Sequence, residues 1–290
     1  MTEANTQRAE RLEAAHDDLV TAVESLVSGD NWAAMLATAS HFHRYSANNV
    51  FLIMLQRPDA TRVAGYRAWQ ALGRQVRKGE KGILILAPCK FRRTWTDEES
   101  GEELSMTGIR GFTTTHVFDI SQTDGEEIPD VLPELLAGEA PEGAWESLAQ
   151  LVIEAGFELA TCWSEQASIE LLGTANGQTN YADHTVTIRH GLSDAQRVKT
   201  LTHELAHVIL HEGELFECRG VKEVEAESVA HLVCQAFGMS TDVYTFPYVA
   251  RWADGDADVV RSTADRVIKT SHAILSVLEP EGIVAESVQS

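Results

Sequence analysis

The segment Thr202-His-Glu-Leu-Ala-His-Val-Ile-Leu-His211 constrains the fold most. Leu201, Leu205, Val208, Ile209 and Leu210 give it the apolar content of a packed helix, yet it also holds two histidines and a glutamate as H-E-x-x-H. In a helix, His203 and His207 lie one turn apart and aim both imidazoles at one point, with Glu204 beside them. Polar groups on such a helix are costly unless they have a task. Zinc chemistry supplies one: two imidazoles hold the cation, a third protein ligand completes the set, and Glu204 acts as general base on water. Ser193 is placed to cap this helix and Gly213 to end it.

The third ligand must come from outside the helix. A metzincin continuation needs a histidine six residues after His207, and that position is Gly213. The next helical stretch, about Lys222 to Phe237, contains Glu223-Val-Glu-Ala-Glu227. Glu223 and Glu227 share a face, whereas Glu225 points away. Glu223 is read as the ligand and Glu227 as the residue that orients a ligand histidine, with the reverse assignment open. His211 continues the same face and reads as a packing residue.

Elsewhere the texture is mixed. Gln7–Ser28 and Trp32–Leu55 have helical periodicity, with Pro58 stopping the second. Ile83–Pro88 and Phe112–Ile120 read as strands separated by an acidic turn, Ala144–Ala155 as a helix, and Gln178–His190 as a hairpin. Residues 121–143, with three prolines and scattered acids and glycines, form the best linker. The expectation is an α+β fold in two domains: 1–125, a linker at 126–143, and 144–290.

Charge follows the same division. His41–Arg93 carries eleven Lys or Arg against two acids, a local +9 that leaves −30 for the rest of a chain whose formal total is −21. Aromatic residues interleave with these cations. Cationic grooves with aromatic platforms suit single-stranded nucleic acid, because bases stack while Lys and Arg follow the phosphates. Cys89, Cys162, Cys218 and Cys234 form no CxxC pair and read as reduced thiols of a cytoplasmic protein. The polar N-terminus does not read as a secretory signal, and no stretch is apolar enough for a membrane.

Two resemblances follow. The segment from about Gly177 to Cys234 resembles the ImmA/IrrE family of zincin-like metallopeptidases, on TVTIRH, TLTHELAHVILH and EVEAESVAHLVC. The resemblance implies a compact α+β peptidase with the strand Thr185–His190 beside its substrate; the paired glutamates are also similar to those of gluzincins. RYSANNVFLI at Arg44–Ile53, the segment Gly65–Pro88 and VFDISQT at Val117–Thr123 resemble the N-terminal domain of ArdC-type antirestriction proteins. That family joins a single-stranded-DNA-binding domain to a zincin. It implies DNA contacts at Arg44, Tyr45, Asn48, Tyr66, Trp69, Arg74, Arg77, Lys78 and Lys81. The expected protein is a zinc metallopeptidase acting on a protein or peptide and fused to a DNA-binding module. The alternatives are a non-enzymatic antirestriction protein with structural zinc and a regulatory protease whose basic module binds protein.

Overall fold

The structure is a computed structural model describing residues 10, 13–15, 17, 29–42, 44–96, 103–127, 139–213, 219–239 and 257–278. Most of the expected helix Gln7–Ser28, most of the linker and Cys218 lie outside the described residues. The chain mixes helices and strands and divides into two compact units. One centres on Phe51–Glu126; the other gathers Val23–Val50 and Glu127–Ser287. The described residues 29–50 are thus grouped with the second unit.

The expected helix Trp32–Leu55 is two helices, α1 (Gly29–His41) and α2 (Ala47–Gln56). Between them Phe42 N–H turns back to the Ala39 carbonyl and Tyr45 N–H to that of Phe42, and the chain re-enters a helix after Ser46. The division between units falls within α2, at Val50 and Phe51.

In the first unit, β1 (Val63–Ala64), α3 (Tyr66–Ala71) and β2 (Arg74–Val76) precede a long hairpin of β3 (Ile83–Thr96) and β4 (Glu103–Asp119). The sheet order is β1-β4-β3. The two strand segments expected from sequence thus merge into much longer strands. Pro88 lies opposite Phe112 inside β3. That strand is at the sheet edge, where a residue without an N–H is tolerated.

A polar corner closes this unit. The Asp119 carboxylate accepts from the backbone N–H groups of Ser121 (2.9 Å), Thr61 (2.9 Å) and Arg62 (3.1 Å). Gln122 returns the bond by accepting from Asp119 N–H and donates to the Lys81 carbonyl. Burial pushes the Asp119 carboxyl up, but these donors outweigh it and hold the group below its ordinary range. The corner turns the chain into β5 (Thr123–Gly125), which pairs antiparallel with β2.

In the second unit, α4 (Ala144–Glu154), β6 (Glu158–Thr161), α5 (Glu165–Leu172), β7 (Gly177–Asn180) and β8 (Thr185–Ile188) lead into α6 (Asp194–His211). Then come α7 (Arg219–Ala236) and α8 (Ala257–Leu278). Ser193 Oγ accepts from Gln196 N–H and caps α6, and Gly213 beyond its end has φ +77°. Leu201, Leu205 and Val208 of α6 bury beside Ala226, Val229 and Val233 of α7 and Val260, Val267 and Ile268 of α8. Each fully buried aliphatic side chain contributes about 1.5–3 kcal/mol relative to exposure. This packing sets the H-E-x-x-H helix against the glutamate helix. Trp32 of α1 joins the core and donates its indole N–H to Ser228 Oγ of α7 at 3.1 Å.

The sheet order is β6-β8-β7, with β6 parallel and β7 antiparallel to β8. β8 is the central strand, with partners on both edges, and both β7 and β8 pack against α6. No helix of the described residues is long and apolar enough to cross a membrane.

Candidate metal centre

His203 and His207, one turn apart on α6, bring their Nε2 atoms within 3.1 Å of each other. Glu223 on α7 places Oε2 at 3.6 Å from His203 Nε2 and 3.7 Å from His207 Nε2. Ligands about 2.0–2.2 Å from a tetrahedral zinc stand about 3.3–3.5 Å apart, so this triangle suits such an ion in size as well as donor type. Among the described residues it is the cluster of three that could hold a metal ion.

The donors are held from behind. His203 Nδ1 lies 3.1 Å from Glu227 Oε2, which makes Nδ1 the protonated nitrogen and directs the Nε2 lone pair into the triangle. Glu223 is thus the glutamate that completes the triangle with the two imidazoles, and Glu227 the one that faces His203 Nδ1. Without a cation a proton takes its place. Burial pushes His203 down, but hydrogen bonds to Glu223 and Glu227 more than reverse this and lift it to about 9. Hydrogen bonds to His203 and His207 hold the Glu223 carboxyl far below its ordinary range.

Glu204 is buried and faces β7, where Thr179 Oγ1 donates to its Oε2 at 2.7 Å. Tyr181, beyond the strand, donates its hydroxyl to the His207 carbonyl at 3.1 Å. A cleft of about 780 Å³ runs past these groups and is also lined by Leu171, Asn176, Gln178, Lys199 and Lys222. Its edge strand is β7, a residue set that carried no motif in the sequence.

Two further groups, His211 and Glu225, stand in a relation that the sequence did not show. His211 is fully buried, with Nδ1 at 2.9 Å from His207 Nδ1 and Nε2 at 2.9 Å from Glu225 Oε2. Glu225 does turn away from Glu223 and Glu227, but into the core. The available signal was the third histidine at helical spacing, 203, 207 and 211.

The residues expected to contact DNA are divided between the two units. Arg44, Tyr45 and Asn48 fall in the second unit and the others in the first. Trp69 is fully buried and donates its indole N–H to the Phe118 carbonyl at 2.8 Å, so it has no face on which a base could stack; that expectation is corrected. Arg74 is bound to Thr123, Gly125 and Glu126 across the β2–β5 pair. Arg77 pairs with Glu80 (3.0 Å) and Asp124 (3.3 Å), and both raise its guanidinium pKa. Tyr66, Lys78 and Lys81 are exposed, and Tyr66 and Lys78 line one shallow groove with Gln75 and Phe118. Cys162 and Cys234 are buried free thiols, and burial pushes Cys234 up to about 12, as befits an inert packing residue.

An α+β chain with an H-E-x-x-H helix and a glutamate donor from the following helix is thereby defined. Its residues 9–118 match the family described as the N-terminal domain of anti-restriction factor ArdC. The chain is 26% identical over 283 residues to an uncharacterized protein of Bacillus anthracis, covering 83% of this chain and 48% of that protein. It is 41% identical over 76 residues to the uncharacterized protein y4eC of Sinorhizobium fredii, 24% of each. The chain thus spans about half the length of the first of these relatives and a quarter of the second. Among solved structures it is similar to metal-free antirestriction protein ArdC from plasmid R388, with TM-score 0.49 and 22% identity over 80% of this chain and 85% of that one. The Mn(II)-bound form of the same protein gives TM-score 0.48 and 19% identity over 82% and 86%.

Proposed function

We propose that this chain is a zinc-dependent peptidase joined to a single-stranded-DNA-binding ArdC-type domain, serving antirestriction or DNA protection. The observation that carries the hydrolytic half is the convergence of His203 Nε2, His207 Nε2 and Glu223 Oε2 beside a buried carboxylate, Glu204, at the wall of a cleft. A bound zinc ion supplies Lewis acidity to a substrate carbonyl and to water. His203, His207 and Glu223 would hold it. Glu204 takes the proton from the attacking water and passes it to the leaving amine. Thr179 holds one Glu204 oxygen by a hydrogen bond of 2.7 Å and leaves the other for water. A metal that only braced the fold has no use for a base so placed.

An extended peptide seats along the outer edge of β7, where backbone groups accept a further strand. The substrate is then a protein segment that can be drawn out flat. In the DNA-binding half, Tyr66 offers a partly exposed ring and Lys78 and Lys81 exposed charges, in the part of the chain that carries the local positive excess. Stacking with flanking cations reads a strand without strong sequence preference.

Zinc analysis and peptide cleavage by wild type and Glu204→Gln test the peptidase. The variant is expected to keep about one zinc per chain and to lose cleavage, since an amide accepts no proton. Cleavage undiminished in Glu204→Gln would remove the general base from the reading. Anisotropy of a labelled oligonucleotide with the full chain tests DNA binding, which should weaken as salt rises because neutralised phosphates release counterions.

A further inference from the structure

Behind His207 lies a line of polar groups that the hydrolytic reading leaves unused. His207 Nδ1 meets His211 Nδ1 at 2.9 Å, His211 Nε2 meets Glu225 Oε2 at 2.9 Å, and Glu225 Oε1 meets Arg266 Nε at 3.3 Å. The His211 and Glu225 side chains are 0% and 1% exposed. Arg266 comes from α8 and also donates to the Leu210 carbonyl at 2.8 Å, so the line is tied to the end of α6 from outside.

Proton placement along this line has one solution that leaves His207 able to bind a cation. Glu225 is paired with a guanidinium and acts as acceptor, so His211 must donate to it from Nε2. A neutral His211 then has a lone pair at Nδ1. Two nitrogens 2.9 Å apart need one proton between them, and it must belong to His207 Nδ1. His207 Nε2 is left with its lone pair directed into the triangle of donors. His203 reaches the same state with a single carboxylate, Glu227, whereas His207 reaches it through an imidazole relay to a carboxylate in the core.

We infer that His211 and Glu225, anchored by Arg266, are positioning residues that fix the tautomer and ring orientation of His207 and thereby set the affinity of the metal site. This rests on the metal-site reading above. A purely structural role fits poorly. Apolar side chains of similar volume would pack 211 and 225 at less desolvation cost than a buried histidine and carboxylate. They could not present an acceptor to His207. Supporting partners of this kind typically change metal affinity by about 10–100-fold when removed.

The test uses the full chain loaded with zinc and labelled with ¹⁵N. Long-range ¹H–¹⁵N correlation spectra report which ring nitrogen carries the proton. The expected pattern is Nδ1–H on His207, with Nε2–H and an unprotonated Nδ1 on His211. A proton on His211 Nδ1 overturns the relay. In competition titrations, His211→Phe should bind zinc 10–100-fold more weakly than wild type, while His211→Asn, which keeps an acceptor near Nδ1, should stay within about threefold. His211→Phe binding as tightly as wild type also overturns it, and if that variant does not fold the wild-type spectrum decides. A wild type that takes up no zinc defeats the metal site itself; normal zinc with the wrong tautomer defeats this inference alone.

Discussion

A β-carbon at Gly177 would lie 2.8 Å from Oε1 of Glu204 and 2.9 Å from its Cγ. The general base is therefore seated against bare backbone, with Thr179 two residues along the same strand holding the other oxygen. Gly177→Ala must displace either the carboxylate or β7. Cleavage is expected to fall at least 10-fold with zinc content unchanged, since no metal donor moves. Zinc analysis beside a cleavage assay checks this; full activity in the variant shows that Glu204 tolerates displacement.

Glu223 and Glu227 can be told apart by metal content. Glu223→Ala removes a donor, and the purified protein should carry little zinc. Glu227→Gln removes the negative partner of His203 Nδ1 but leaves an acceptor, so zinc should be retained with affinity lower by about 10-fold. The opposite ranking in chelator competition reverses the two roles.

Stability of the metal-free protein should depend on pH through His203. Its folded value, about 9, lies above the ordinary 6.5, so the proton it holds stabilises the fold fully below about pH 6.5. That contribution fades as pH rises through about 9. Glu223 is depressed and acts in the opposite range: its contribution is complete above its ordinary value of 4.5 and is lost only in strong acid. With chelator present, the gap in Tm between wild type and His203→Gln is expected to narrow from pH 6.5 to 9. A gap constant across this window contradicts the raised value.

In the first unit, stability and DNA binding should separate by residue. Trp69→Phe leaves the Phe118 carbonyl without its indole donor and should cost about 1–3 kcal/mol of stability while oligonucleotide affinity holds. Replacing Lys78 and Lys81 with Gln should flatten the salt dependence of binding, because each cation lost is a counterion not released. Tyr66→Ala should weaken binding by about 1–3 kcal/mol with little change in that slope. Urea melts and anisotropy at two salt concentrations distinguish these outcomes. Strong DNA loss in Trp69→Phe at normal stability would contradict its burial.

The cluster of His203, His207 and Glu223 was legible because helical spacing is a local rule: residues 203 and 207 must share a face, as must 223 and 227. Caps at Ser193 and Gly213 were legible for the same reason. The helical periodicity of Trp32–Leu55 was real, yet the break at Phe42–Ser46 was not visible, since that stretch holds no Pro or Gly to mark a turn. β6, α5 and α8 went unread, the first two for their shortness. The aromatic and basic pattern of the first unit was read as a surface, although Trp69 fills a core and Arg74 and Arg77 hold a corner together.

The sequence by itself determined the donor types, their spacing along two helices and the sign of the local charge, because these depend on residue identity and on a period of 3.6. Tertiary structure decided which glutamate faces the histidines, which strand borders the cleft and what stands behind His207. Those relations join residues 14 to 41 positions apart, as in His211 with Glu225 and Glu225 with Arg266. No local pattern encodes them, for they exist only once the packing of α6, α7 and α8 and the pairing of β7 with β8 have brought the groups together.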